Sequence, residues 1–204
     1  VSPIIHRGIE QGTPEWFALK AGKWSASKAA VIMGGLDTKG LADLVQDIAW
    51  ERVYGPTEGG YKSKAMERGN ELEPEGRDWY AFAKGVTVEQ VCFVEHATVP
   101  NVGWSPDGLI GRGALEAKCP LHRAWMEVKR KLWVPAEYRW QCRWAFWTGQ
   151  LEWLDFVPYH PKAGGLIVSV ERDESTFAQM EERVAMLEKR VAEWVDVLSD
   201  RKAA

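Results

Sequence analysis

The chain has 204 residues, 46% of them apolar and 27% charged, which is enough to bury a core without disulfides or a structural metal. Its net charge of −3 argues against a generic nucleic-acid-coating protein and confines any phosphate contact to local patches. Three cysteines, Cys92, Cys119 and Cys142, form no CxxC pair; this argues against a disulfide scaffold or a four-cysteine metal site and makes a reducing cytoplasm the expected compartment.

Thr13-Pro14-Glu15 predicts a helix start, with a hydroxyl cap, proline at the first helical position and an acid on the dipole. That helix should stop at Gly22. A second start at Ser25-Ala26-Ser27 should lead to Gly34-Gly35, and a third helix should cover 40–54 with Leu41, Leu44, Val45 and Ile48 on one face. A Gly-rich turn over 55–60 precedes a long helical stretch over 63–84, where Pro74 predicts a kink or break. The period then changes to two. Residues 86–96 read as a strand, and 102–110 and 113–119 as two strands joined by a tight turn at 111–113.

Helices are expected over 121–132 and 135–148, a hairpin pair over 151–160 and 165–172, and a closing helix over 175–198. The apolar face of the last helix is expected to pack on the sheet, with a trimer or partner seam as the alternative. The order predicts one mixed α/β domain over 1–204, helical to about residue 84 and sheet-centred after it. Most of the twelve tryptophans are expected in the core, leaving one or two for stacking on bases. The opening VSPIIHRGIEQG lacks a signal-peptide apolar core, and no apolar run is long enough to span a membrane.

The chemistry concentrates in Trp104-Ser-Pro-Asp107-Gly and Leu115-Glu116-Ala-Lys118-Cys-Pro120. Alternation along a strand turns Leu115, Ala117 and Cys119 into the core and Glu116 with Lys118 the other way. The hairpin returns the chain so that Asp107 sits near Glu116. Two carboxylates and a lysine on one sheet face suit phosphodiester hydrolysis: carboxylate oxygens take Mg²⁺, and the lysine positions or deprotonates water or offsets phosphorane charge. Taken alone, the same residues also describe an ordinary turn and a solvated strand face.

Glu73 reads either as a surface acid or as a helix carboxylate completing a metal shell. Gln141 reads as a helix-surface amide or as a holder of water or phosphate. Ser25 and Ser27 lie at an expected helix N-terminus, where free N–H groups favour an anion, with Lys20, Lys23 and Lys28 around them. Residues 121–143 carry six basic side chains against Glu127 and Glu137, an excess of +4, and Trp125, Trp133, Trp140 and the adjoining Trp144 interleave with them. Arg139 and Arg143 in that stretch could track a DNA backbone or simply solvate amphipathic helices. No zinc spacing, P-loop, dinucleotide fingerprint or nucleophile elbow is present.

EQGTPEWFALKAGKWSASK (10–28), ERGNELEPEGRDWY (67–80), GWSPDGL (103–109), LEAKCP (115–120) and the glutamine of RWQCRWAFW (139–147) together resemble the phage lambda exonuclease and YqaJ-type viral alkaline exonucleases of the PD-(D/E)XK nuclease superfamily. The resemblance implies a restriction-endonuclease-like α/β core, a central mixed sheet flanked by helices. It implies Mg²⁺, two ions with Mn²⁺ as substitute, held by Asp107, Glu116, the Ala117 carbonyl and Glu73, with Lys118 assisting the water and Gln141 near the site. Ser27 matches the serine that contacts the 5′-phosphate, and Lys20 stands where lambda exonuclease has arginine, keeping the charge but losing the bidentate fork. The implied activity is 5′→3′ digestion of one strand of linear duplex DNA to mononucleotides, leaving a 3′ overhang. A homotrimer, a single-strand annealing protein as partner and a phage or prophage origin are implied with it. An endonuclease of the same fold and a non-catalytic DNA-end scaffold are the competing readings.

Overall fold

The computed structural model describes residues 1–57 and 64–200. The Gly-rich turn expected over 55–60 lies partly outside them, as does the helix start expected at Ser63.

Thr13 caps α1 (Pro14–Lys20), its hydroxyl accepting the Trp16 N–H at 3.3 Å. The chain reverses at Gly22 and forms β2 (Trp24–Ser25), a single 3₁₀ turn (Ala26–Lys28) and a four-residue α2 (Ala29–Ile32). The helix expected to begin at Ser25 is thus one short broken turn, and the Ser25 side chain caps nothing. The reason is that Trp24 and Ser25 are taken by strand pairing, parallel to β4 (Val102–Trp104). Helix α3 (Lys39–Tyr54) follows, capped by Thr38.

Two sheets replace the single sheet that was expected. One has the order β1-β3-β4-β2, with β1 at Ile4–His6 and β3 at Phe93–Glu95. The other is built on the hairpin of β5 (Gly108–Ile110) and β6 (Gly113–Lys118), with β7 (Trp153–His160) parallel to β6. β8 (Gly164–Gly165) and β9 (Val168–Val170) pair antiparallel with β7. Both sheets are mixed. The strand expected over 102–110 is therefore cut at Ser105-Pro106-Asp107, where proline offers no N–H to a ladder. Residues 86–96 divide in the same way. Glu89 exchanges both backbone bonds with Leu109 in the second sheet, and Phe93–Glu95 then joins the first. One period-two segment serves two sheets, so it cannot be one strand.

Helix α4 (Lys64–Lys84) runs through Pro74 without the break that was one of the two outcomes expected there. Tertiary contacts on its C-terminal side offset the missing N–H. Tyr80 donates to the buried Asp155 at 2.8 Å and Lys84 pairs with the same carboxylate at 3.2 Å. Tyr159 donates to Glu75 at 3.1 Å, and Gly76 lets the helix approach so closely that a Cβ there would lie 3.0 Å from Tyr159 Cβ. Between α4 and the β6–β7 pair sits a small core of Tyr80, Leu115, Ala117 and Val157.

The larger core is assembled around α6 (Ala136–Gly149), whose Cys142, Trp144, Ala145 and Phe146 are buried together with Trp24, Trp104 and Phe156. Helix α5 (His122–Lys131) lies outside, burying only Trp125 and Val128. Helix α7 (Ser175–Asp200) buries Met180, Val184, Leu187 and Val191, but packs chiefly on α3 rather than on a sheet. Five tryptophans are buried, fewer than composition suggests, while Trp50, Trp133, Trp153 and Trp194 are exposed. Among the described residues no helix is long and apolar enough to cross a membrane.

Candidate active site

The chain passes from the first sheet to the second at Ser105–Asp107, and the hairpin then brings β6 alongside. Asp107 Oδ2 accepts the Ala117 N–H at 2.7 Å, so the turn aspartate is pinned near the C-terminal end of β6. Within an extended strand a residue's N–H and C=O face the same edge, so the Ala117 carbonyl also faces the Asp107 side. Glu116 is fully buried. Its Oε1 receives Lys118 Nζ and Gln141 Nε2, each at 2.5 Å. Glu116 and Lys118 thus share a face as the strand alternation requires, and α6 delivers Gln141 to the same oxygen. Cys119, expected in the core, is only half-buried, because β6 ends at Lys118.

The second oxygen, Glu116 Oε2, is buried without a hydrogen-bond partner. A carboxylate oxygen in that state is costly unless a cation or donor meets it. Burial, and then the neighbouring Glu116 charge, push the Asp107 carboxyl well above its usual range. Burial opposes the Lys118 charge, but Glu116 and Asp107 outweigh it and hold the ammonium above the ordinary lysine value. Two carboxylates crowded in a weakly solvated place, one with an orphaned oxygen, fit a small hard cation. Among the described residues no three His, Cys, Asp or Glu side chains converge as a complete cage. The donors are two carboxylates and a carbonyl, which suits an ion that keeps several waters.

Glu73 faces the same space from α4 but is drawn into an ion pair with Arg77 at 3.2 Å. Arg77 Nη1 also donates to the Asp107 carbonyl at 2.8 Å, tying α4 to the aspartate's backbone. Sequence reading missed Arg77, although its place four residues after Glu73 is the spacing of a helical ion pair. It also missed Ser105, whose buried hydroxyl has no partner, and Gln11, whose amide donates to the Val91 and Pro106 carbonyls at 3.0 Å each.

A cleft of about 840 Å³ opens over Asp107, Glu73, Arg77, Ser105 and Gln141 and continues to Lys20, Ser25, Ser27 and Lys28. The Ser25 and Ser27 hydroxyls are 3.2 Å apart, and Lys20 Nζ lies 3.6 Å above the centre of the Trp16 ring. Burial lowers the Lys20 pKa to about 8, with Glu51 opposing the shift and Lys28 adding to it. The positive end of the cleft therefore rests on side chains rather than on a helix N-terminus, since the helix there is too short to carry a useful dipole.

Three expected contacts lie elsewhere. Lys23 donates to the Leu19 carbonyl at 2.6 Å and faces Glu95, outside the cleft lining. Arg139 stacks on Trp133 and donates to the Val134 carbonyl. Arg143 stacks on Trp140 and pairs with Asp173 at 3.4 Å. Neither arginine lines the cleft, because α6 turns only Gln141 toward it.

Asp107, Glu116 and Lys118 on a β-hairpin, with Gln141 reaching them from α6 and an α/β frame around them, form an arrangement whose chemistry suits a nuclease. The chain belongs to the YqaJ-like viral recombinase domain family, whose model matches residues 15–152. Its structure is similar to that of an alkaline exonuclease, LHK-Exo, from Laribacter hongkongensis: 30% identity, 94% of this chain and 98% of that chain covered, TM-score 0.84. The same enzyme in complex with dAMP matches with the same values. A phage related exonuclease from Haemophilus somnus 129PT shares the fold at 15% identity, with 88% and 96% covered and a TM-score of 0.64. No curated protein matches.

Proposed function

We propose that this chain is a Mg²⁺-dependent 5′→3′ exonuclease that digests one strand of linear duplex DNA to mononucleotides and leaves a 3′ overhang. The observation that carries this reading is one cleft that runs from Asp107, behind which Glu116 is buried, past Gln141 to Lys20, Ser25 and Ser27. A terminal phosphate at one end and the scissile phosphate at the other are what release of one nucleotide requires. The solved relative's complex with dAMP supports a deoxynucleoside monophosphate as product.

Asp107, Glu116 and the Ala117 carbonyl would hold the cation, with Glu73 available from α4. When bound, Mg²⁺ supplies charge for the phosphoryl oxygens and makes water more acidic. Lys118 orients the attacking water and offsets charge on the phosphorane. Gln141 holds Glu116 Oε1, which would leave Oε2 available to a cation. Ser25, Ser27 and Lys20 bind the 5′-phosphate. Two ions at work, replacement by Mn²⁺, a ring-shaped homotrimer, a single-strand annealing partner and a site of action in a bacterial cytoplasm complete the proposal; membership of a viral recombinase family supports its setting in phage recombination.

The test compares 5′-labelled linear duplex with covalently closed circular duplex in Mg²⁺. Labelled mononucleotide is expected from the linear DNA, with the circle left intact. Cutting of the circle would establish an endonuclease, and no release from either would establish a scaffold. Lys20 adds a pH signature. Its charged form is lost as pH rises through about 8. The preference for phosphorylated over hydroxyl 5′ ends is expected to fall above that pH, and to be low and flat with pH in Lys20→Ala. An unchanged preference in that variant would remove the end pocket.

A further inference from the structure

The turn between the two halves of the end pocket is gripped by residues outside the cleft lining. Lys20 ends α1, Ser25 ends β2, and between them the chain reverses at Gly22 with φ +69°. Consecutive residues of α3 take both backbone groups of that glycine. Glu51 accepts its N–H at 2.8 Å, and Arg52 Nε donates to its carbonyl at 2.9 Å. The fit is close enough that a Cβ on Gly22 would lie 2.6 Å from Arg52 Cγ.

Arg52 is itself held from α7. Its two terminal nitrogens meet the two oxygens of Glu188 at 2.6 and 2.7 Å, and Glu188 Oε1 also accepts the Trp24 indole N–H at 2.7 Å. One carboxylate is thus bonded to the arginine that grips the turn after Lys20 and to the residue immediately before Ser25. The pair is largely shielded from water, with 21% and 27% of the two side chains exposed, so the bidentate fork fixes geometry more firmly than a surface pair would.

We propose that Glu188, acting through Arg52 and Trp24, is a positioning residue for the end pocket: it sets the distance between the Lys20 ammonium and the Ser25 and Ser27 hydroxyls, and thereby the discrimination of phosphorylated 5′ ends. The inference rests on the end-pocket reading of the previous subsection. Its physical basis is that recognition of a phosphate from several sides tolerates little displacement of the donors, and a misplacement of about 1 Å costs about 100-fold where alignment matters.

The experiment measures kcat/KM on 5′-phosphorylated and 5′-hydroxyl duplex for Glu188→Gln, Arg52→Lys and Lys20→Ala, with Kd for both ends in Ca²⁺ as a second readout. Glu188→Gln keeps an acceptor for Trp24 but loses the charge of the fork; Arg52→Lys keeps the charge but loses the fork. The phosphate-to-hydroxyl ratio is expected to fall at least about 5-fold in both, consistent with a shift of the donors well under 1 Å. A purely structural role would lower melting temperature and the amount of active enzyme equally for both ends. A wild-type ratio in the folded fraction of both variants therefore overturns the proposal. If Lys20→Ala lowers the ratio and the two clamp variants do not, only the clamp fails. If Lys20→Ala leaves the ratio unchanged, the end pocket fails and the clamp with it. Should Glu188→Gln not fold, Arg52→Lys decides the matter alone.

Discussion

Replacing Lys118 by alanine is expected to lower kcat by about 10³-fold while leaving the affinity for duplex ends within about 3-fold of wild type. The ammonium is the cation bonded to the buried Glu116, and it sits beside Asp107 at the point where the scissile phosphate would meet the carboxylates. A donor that acts on charge developing in the transition state contributes to turnover rather than to ground-state binding, and a 10³-fold loss corresponds to about 4 kcal/mol. Single-turnover cleavage in Mg²⁺ and binding in Ca²⁺ separate the two. Wild-type turnover, or a loss of binding as large as the loss of turnover, would remove Lys118 from the chemistry. The variant is also expected to be less stable without metal, because Glu116 loses its counter-charge while remaining fully buried.

Asp107→Asn is expected to abolish metal-dependent cleavage and, in the presence of a chelator, to make the protein more stable. The asparagine oxygen can still accept the Ala117 N–H, so the hairpin keeps its geometry. What disappears is a carboxylate held near Glu116 in a poorly solvated place. The sign follows from the raised pKa. A carboxyl whose folded value lies above its unfolded value contributes stability below about pH 3.8, and that contribution is lost as pH rises through the folded value. Metal-free wild type is therefore expected to lose stability as pH rises above 4, and Asp107→Asn to be flatter over the same range. At neutral pH in chelator the expected readout is a higher Tm for Asp107→Asn than for wild type. Saturating Mg²⁺ should shrink the difference, since a cation satisfies the wild-type pair and has less to hold in the variant. Thermal melts at several pH values, with chelator and with Mg²⁺, make the comparison. A variant that melts lower than wild type in chelator at neutral pH would contradict the assignment of Asp107 to a strained carboxylate pair.

The two results together would mark a site in which stability gives way to function. The fold buries a Glu116 oxygen without a protein partner and holds the Asp107 carboxyl above its usual range, features that packing alone would not favour. Arg77 belongs to the same arrangement, since it bridges the Glu73 carboxylate and the Asp107 backbone and so fixes how far α4 stands from the hairpin.

Much of this could be read along the chain. Alternation within Leu115–Lys118 put Glu116 and Lys118 on one side, and the turn at Gly111 returned β6 beside Asp107, because strand period and turn chemistry are local properties. The cap at Thr13 and the helices over 40–54, 122–131 and 136–149 were local in the same sense. Other features depended on partners far away in sequence. Whether 102–110 is one strand or two was decided by which sheet each half could pair with, and Pro74 was accommodated because Tyr80, Lys84 and Glu75 anchor α4 to β7. That Ser25 and Ser27 sit on a broken turn, that Lys23 and Arg143 are spent on Glu95 and Asp173, and that Glu188 reaches Trp24 and Arg52 across the fold all follow from long-range packing. Spacing records which side chains share a strand face or a helix turn. It carries no information about which charged groups from separate elements will meet, because that depends on how the elements close around a common core.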